Sequence, residues 1–569
     1  MRERESRSSK VDHHHQQQQN LDQQAKNHEK ETGGFASEFL LTSFIVFHAL
    51  LLRWCVSYHP YSGAGTPPMF GDYEAQRHWQ EITLNLPISQ WYSNSTDNDL
   101  QYWGLDYPPI TAYHSYLLAK VAEIFDPDSV KLHQSRGHES STHKYFMRLS
   151  VLAIDLLIFI PVIIYFAFAI LPILDCKNKK QLEKVEKREF LWFKKKHYFL
   201  ATVLFYPGLI LIDYGHFQYN CVSLGLFIVS VSALFQGSMA ISSFFFVLAL
   251  NYKQMELYHA LPCFFYILGI NMPGKRKPLL TCLRSLICVS LTVIVTFGLI
   301  WAPFLTDRKV FMDTVLRLFP LTRGIFEDKV ANVWCAINVI YKLRNNFTNL
   351  QLAQICLVST TAALLPSSLD LFFRPSREKF LLALINSSLS FFLFSFQVHE
   401  KSILLVSLPV LLHFIKDPLP CFWFLIISVF SMLPLLIKDG LYTAYFATLI
   451  FFIVSVYCMW FESKISDLIK TKTEKQEEKS TLKKVKVKKN PITLSNNDIY
   501  INILYGISIL GVLILSLCAK FLKAPKKYPD LYSLLISIYS CGHFVVFLIY
   551  FNYKQFYATT VPARKYKVK

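Results

Sequence analysis

The residue types able to act on a sugar gather in five short segments. The first, Phe70-Gly71-Asp72-Tyr73-Glu74-Ala75-Gln76-Arg77-His78-Trp79, follows the first apolar run. A carboxylate at a membrane boundary is partly desolvated, and a neighbouring acid such as Glu74 raises its proton affinity further, so Asp72 is a candidate general base. Its rival role is the N-cap of the helix that starts here, since Gly71 frees the turn and a helix N-terminus favours an acid. The second segment runs from Tyr102 to Tyr113, where Pro108 and Pro109 stop any upstream helix and hold Asp106 and Tyr107 on a stiff aromatic turn. Rings that stack on sugar C–H bonds beside a carboxylate that accepts from hydroxyls suit a carbohydrate; an interfacial aromatic belt is the alternative.

The third segment, Asp213-Tyr214-Gly215-His216-Phe217-Gln218-Tyr219-Asn220, ends an apolar run and offers His216 and Gln218. The fourth, Arg323–Trp334, offers Arg323; the fifth, Gln397-Val398-His399-Glu400-Lys401-Ser402, lies between two short apolar runs. Charges so close to apolar spans are costly, which makes each a functional candidate. Arg323, His399 and Lys401, with Glu400 beside them, form a candidate cradle for a phosphate. The candidate substrate-binding set is therefore Glu74, Asp106, Tyr107, His216, Gln218, Arg323, His399, Glu400 and Lys401. No metal-ligand set emerges, because His216 and His399 are far apart in sequence and Asp72 and Asp106 make no Asp-x-Asp pair. No Gly-rich phosphate loop is present either, so neither metal nor nucleotide nor other cofactor is expected.

The chain that must position these groups has 569 residues, 52% hydrophobic and 17% charged, with 48 phenylalanines. Soluble domains have too little polar surface for such a composition, and the fold class expected is an all-α polytopic membrane protein. The formal charge of +19 sits mostly in three short stretches beside apolar runs: 175–197, 462–489 and 552–569. That is the positive-inside pattern, which sets orientation and requires no nucleic acid. The 12 cysteines show no C-x-x-C spacing and read as small core residues.

Apolar runs predict about 14 transmembrane helices, near 39–56, 149–174, 198–212, 221–236, 239–251, 257–271, 279–301, 351–373, 380–396, 402–414, 419–437, 441–461, 499–522 and 531–551. The stretch Ile110–Phe125 is interrupted by His114, Lys120 and Glu123 and falls short of the roughly 20 residues a bilayer needs. It reads as an amphipathic helix on the membrane surface. With that stretch left out of the count, every basic loop falls on the side of the N-terminus, the cytosol. Segments 58–147, 213–220, 302–349 and 399–401 then share the opposite, luminal side. The glycosylation sequons at Asn94 and Asn346 are luminal too, whereas that at Asn386 lies inside an apolar run and reads as chance. The layout expected is a disordered cytosolic tail 1–34, a catalytic module 35–350 with luminal loops 58–147 and 302–349, and a C-terminal membrane module 351–551. The latter carries a cytosolic basic loop 462–498, and the tail 552–569 ends with Lys565 and Lys567 in a dilysine-like retrieval pattern of the endoplasmic reticulum.

The strings GDYEAQRHW, YWGLDYPPITAYHSYL, DYGHFQYN, LTRGIFEDKVANVWC and VHEKSILL, in this order over residues 70–406, closely resemble the endoplasmic-reticulum dolichyl-phosphate-glucose-dependent alpha-1,3-glucosyltransferases. At the first block and at RGIFEDK the pattern is similar to the members that add the first glucose to lipid-linked Man9GlcNAc2, rather than the second. The resemblance implies a GT-C architecture, in which a long first luminal loop with surface helices caps a bundle of spans. It also implies an inverting, metal-independent transfer in N-glycan precursor assembly, from dolichyl phosphate glucose to a dolichyl-diphosphate oligosaccharide, with Asp72 as base. Asp106 would then orient the acceptor or the base, and the partners are these two lipid-linked sugars and membrane lipids. Two rivals stand beside it. A transporter would place its polar groups near the midplane on repeated, broken helices, and a non-catalytic subunit would only hold lipid-linked glycans.

Overall fold

The computed structural model describes residues 36–175, 189–273, 278–319, 329–459 and 496–558. Arg323, the tail 1–34, nearly all of 462–498 and the dilysine pattern lie outside the described residues. The described chain is helical, without a β-strand. Helix α1 (Ala36–Ser57) leads to α2 (Asp72–Asn85), α3 (Pro109–Phe125), α4 (Ser141–Leu174) and α5 (Lys195–Phe217). Then come the hairpin α6 (Asn220–Gln236) and α7 (Met239–Tyr252), α8 (Ala260–Ile270), α9 (Leu279–Phe304), α10 (Arg308–Leu318) and α11 (Val333–Ile340). The C-terminal part is α12 (Asn349–Phe373), α13 (Arg377–Phe394), α14 (Ile403–His413), α15 (Pro418–Ser431), α16 (Tyr442–Met459), α17 (Tyr500–Phe521) and α18 (Leu531–Tyr557). Among the described residues 8 helices, α1, α4, α5, α9, α12, α16, α17 and α18, are long and apolar enough to cross a membrane.

A helix that is apolar all round needs apolar surroundings on every side. For α5 and α14 these are other helices: the most apolar window of α5 is 100% buried, and every residue of α14 is buried. α9 finds them only in part within the protein, since few of its residues are buried and Leu280, Ile294 and Leu299 point outward, a surface suited to lipid. The apolar surroundings predicted from composition are thus split between a protein core and a lipid-facing rim.

One end of the bundle is capped by α2, α3 and the chain between them. Trp79, Ile82, Trp91, Tyr92, Leu105 and Ala112 form a separate apolar core with Phe304 and Leu318, so the first loop and the chain after α9 fold together. Within the cap Arg77 is wholly buried and satisfied by acids of its own helix. It donates to Glu74 through Nε at 2.8 Å and Nη2 at 2.6 Å, and to Glu81 at 2.9 Å. Its Nη1 reaches Ser129 O at 2.9 Å and Ser135 Oγ at 2.6 Å, which pins residues 129–135 onto α2. α3 packs its Ala112, Ala119 and Ala122 inward and leaves Leu117, Val121, Ile124 and Phe125 exposed in one stripe.

The other end of the bundle is ionic in a different way. Glu38 at the start of α1 accepts from Lys196 at the start of α5 at 3.1 Å, and buried Lys379 donates to Asp370 at 2.9 Å, with Arg374 on the same carboxylate. The sequon residue Asn386 is fully buried and donates to Gln555 at 2.9 Å, which leaves no room for a glycan there. Asn94 and Asn346 are both exposed.

Candidate active site

At the capped end, three separate parts of the chain meet at one carboxylate, and a fourth stands behind it. Asp72 Oδ2 accepts from His216 Nε2 at 3.0 Å, from the Gln218 amide and from the Lys401 ammonium. The other ring nitrogen of His216 faces Asp439 Oδ2 at 2.6 Å, so both N–H groups of an imidazolium can donate to carboxylates. His216 and Asp439 are almost wholly buried, whereas the Asp72 side chain keeps 20% of its surface. Asp72 Oδ1 has no hydrogen-bond partner among the described residues. One oxygen is therefore fixed by three donors and the other is open to a ligand.

Close backbone packing brings these elements together. A side-chain carbon on Gly71 would stand 2.5 Å from the Ser62 carbonyl, so only glycine lets the chain entering α2 lie against the loop after α1. Ser62 N–H donates to His216 O at 3.0 Å, which ties that loop to the end of α5. The last turns of α5, Leu211–Phe217, widen into a π-helix, a feature frequent at functional sites. At Gly215 a Cβ would meet Leu441 at 2.7 Å, and this close approach lets His216 reach Asp439. Three non-glycine residues at the entries to the site hold a positive φ: Phe70 at 59°, Phe217 at 91° and Gln397 at 59°. Such conformations cost about 1–3 kcal/mol each and cluster where a site must be held in one geometry.

A second layer lies behind this one. Asp213 accepts from Asn220 Nδ2 at 2.7 Å and from Cys221 N–H at 2.9 Å, and Asn220 Oδ1 in turn accepts from the ammonium of Lys253. Lys253 Nζ lies 5.5 Å from the ring centroid of Tyr107, whose edge meets Trp79 with centroids 5.0 Å apart. The Asp106 carbonyl accepts from Gln254 at 2.9 Å, and Glu400 shares the 3-10 turn of Lys401 directly after His399.

Asp72, His216, Gln218, Lys401 and Tyr107, singled out from four of the five scattered segments, thus lie around one site. Three expectations are overturned. Asp72 is not the helix cap: Gly71 occupies the N-cap position, and the carboxylate points to other elements instead of its own helix. Glu74 does not line the pocket, because it is 3% exposed and consumed by Arg77, the Tyr102 hydroxyl at 2.7 Å and Gly137 N–H at 3.0 Å. Nor does an acidic neighbour raise the proton affinity of Asp72. Burial pushes in that direction, but the charges of Lys401 and His216 outweigh it and hold the carboxyl well below its ordinary range. Asp439 and Lys253 were not anticipated, although each lies in a short charged break between apolar runs. Because Lys401 and Asp439 come from beyond residue 350, the pocket crosses the boundary drawn between a catalytic and a C-terminal module.

The sequence matches the ALG6, ALG8 glycosyltransferase family over residues 49–550. The chain belongs to that family. A Rattus norvegicus relative, dolichyl pyrophosphate Man9GlcNAc2 alpha-1,3-glucosyltransferase, is 47% identical over 515 residues, covering 89% of this chain and 95% of the relative. A Gallus gallus relative of the same name is 45% identical over 517 residues, covering 90% and 96%. The ALG6, ALG8 match includes every residue of the pocket from Asp72 to Asp439, on both sides of residue 350. As a member of the ALG6, ALG8 family the chain is a membrane glycosyltransferase, and neither the transporter nor the non-catalytic subunit is supported.

Proposed function

We propose that this chain transfers glucose from dolichyl phosphate glucose to the terminal mannose of dolichyl-diphosphate-linked Man9GlcNAc2, with inversion to an alpha-1,3 linkage. The carrying observation is the carboxylate of Asp72, anchored through Oδ2 and open at Oδ1. The mannose 3-hydroxyl gives its proton to Asp72 Oδ1 as its oxygen attacks the glucose anomeric carbon. The bond from that carbon to the phosphate oxygen breaks, and the electron pair leaves with dolichyl phosphate. Lys401 has two anionic partners in this sequence. When Asp72 takes the proton it loses its charge, at the moment the leaving phosphate gains one, so Lys401 can transfer its attraction from carboxylate to phosphate. His399, two residues before Lys401, and Arg323, which lies outside the described residues, are the remaining candidates for contacts to the phosphate.

The working orientation follows from charge. The basic segments 175–197 and 462–498 and both termini face the cytosol, with about 14 spans in all. The cap of α2 and α3 and the Asp72 pocket face the lumen of the endoplasmic reticulum. The exposed stripe Leu117, Val121, Ile124 and Phe125 of α3 rests on the membrane surface, and Asn94 and Asn346 are available for glycosylation.

The purified protein, offered lipid-phosphate glucose or mannose with the Man9GlcNAc2 lipid, should use only the glucose donor; equal use of both would refute the donor assignment. Chelation of divalent ions should leave turnover intact, because the leaving group is a monophosphate that side-chain cations can neutralise. Loss of turnover on chelation with recovery on adding Mn²⁺ or Mg²⁺ would contradict this. The pH profile carries a sign. Since Lys401 holds the Asp72 carboxyl low, the acid limb of kcat/KM lies below the ordinary carboxylate range, and in Lys401→Met burial is less opposed, so that limb moves to higher pH. An acid limb that stays in place in Lys401→Met would show that the pair does not control the base.

A further inference from the structure

Lys253 lies directly after α7, is 7% exposed, and forms no ion pair among the described residues. Its ammonium has one hydrogen-bond partner, the Asn220 side-chain oxygen, and approaches the face of Tyr107 at 5.5 Å. Asp213, the nearest acid by connection, is already satisfied by Asn220 and Cys221. Burying an ammonium with two of its three donors unused is costly, and Asp213, Asp72 and Glu256, the acids that favour its charge, offset this from a distance without pairing with it among the described residues. A second ammonium aggravates it: Lys401 reaches into the same pocket and is the foremost charged neighbour of Lys253. Two lysines from different elements repel each other across this space, and Asp72 already holds Lys401. An anion seated between them would satisfy both.

We propose that Lys253 is a phosphate-binding residue of this pocket, holding the phosphodiester of the polyprenyl-phosphate sugar from the side opposite Lys401. This rests on the donor reading above and adds a residue to it. The division of labour follows from charge. A sugar phosphodiester carries one negative charge in the ground state, which Lys253 can meet while Lys401 still serves Asp72. The second charge appears only when the glycosidic bond breaks and Asp72 is protonated. Lys253 is therefore a ground-state anchor, and Lys401 serves the transition state.

The test uses the full-length protein in detergent with a short-chain polyprenyl monophosphate and the corresponding uncharged alcohol as probes. Lys253→Met should weaken phosphate binding roughly 10–100-fold, the worth of a hydrogen bond to a charged group, with alcohol binding unchanged. Lys253→Arg should restore most of the phosphate affinity. Because removing one of two repelling cations relieves the free protein, the melting temperature of Lys253→Met should equal or exceed that of the wild type. Unaltered phosphate affinity in Lys253→Met would overturn the proposal, as would equal losses for phosphate and alcohol with a lowered melting temperature. A wild type that binds the phosphate through Lys253 yet transfers no glucose would keep this site and sink the enzymatic reading instead.

Discussion

Asp72→Asn should lower turnover by roughly 10²–10⁴-fold, the usual cost of removing a general base, while donor binding holds or tightens. The amide keeps the side-chain shape and can still accept from Gln218 and His216, so the pocket stays assembled. It cannot take the proton of the attacking hydroxyl. It also no longer neutralises Lys401, whose half-buried charge becomes available to the donor phosphate. A purely structural aspartate would behave differently, because its loss would weaken the binding of both substrates together with turnover. Turnover at the wild-type level in Asp72→Asn would remove the base from the mechanism.

Arg77→Met should destabilise the protein by about 3–5 kcal/mol, the range seen when one partner of a buried ion pair is removed. Glu74 and Glu81 are each almost wholly buried, and both depend on this guanidinium. Burial raises the Glu81 carboxyl, but His78 and Arg77 outweigh it and bring it down to about 2. Its folded value is thus below its unfolded one. The stabilisation is present above the ordinary value near 4.5 and is lost as pH falls towards 2. Thermal melts at neutral pH should show a large drop for Arg77→Met, and the protein that remains folded should turn over normally, since Arg77 touches no residue of the pocket. A normal melt would mean that the cap does not depend on this network.

The two variants mark what was legible in the amino-acid sequence. Among the described residues the apolar runs are helical because hydropathy over a long stretch leaves the backbone no other way to satisfy itself in lipid. Asp72, His216 and Lys401 were legible because an isolated charge beside such a run is expensive, and their convergence needed only that their segments fall at one end of the bundle. Asp439 and Lys253 carry the same signal in breaks of three or four residues, Lys438–Gly440 and Lys253–Glu256, too brief to stand out between two spans. Glu74 was misplaced although the spacing of Glu74, Arg77, His78 and Glu81 puts all four on one helix face, where they satisfy each other. Which acid on α2 faces inward to Arg77 and which faces Lys401 depends on how the helix is rotated. That rotation is set by Trp79 and Ile82 packing against residues far away in sequence, Phe304 and Leu318.

The most direct measurement is single-turnover transfer by the reconstituted wild-type protein from synthetic beta-linked lipid-phosphate glucose to the Man9GlcNAc2 lipid, with the linkage of the product determined. The predicted product carries one added glucose, alpha-linked to the 3-hydroxyl of the terminal mannose, and Asp72→Asn forms it at a rate lower by orders of magnitude. A beta-linked product, or an alpha-linked one formed equally fast by Asp72→Asn, would contradict an inverting displacement with Asp72 as its base.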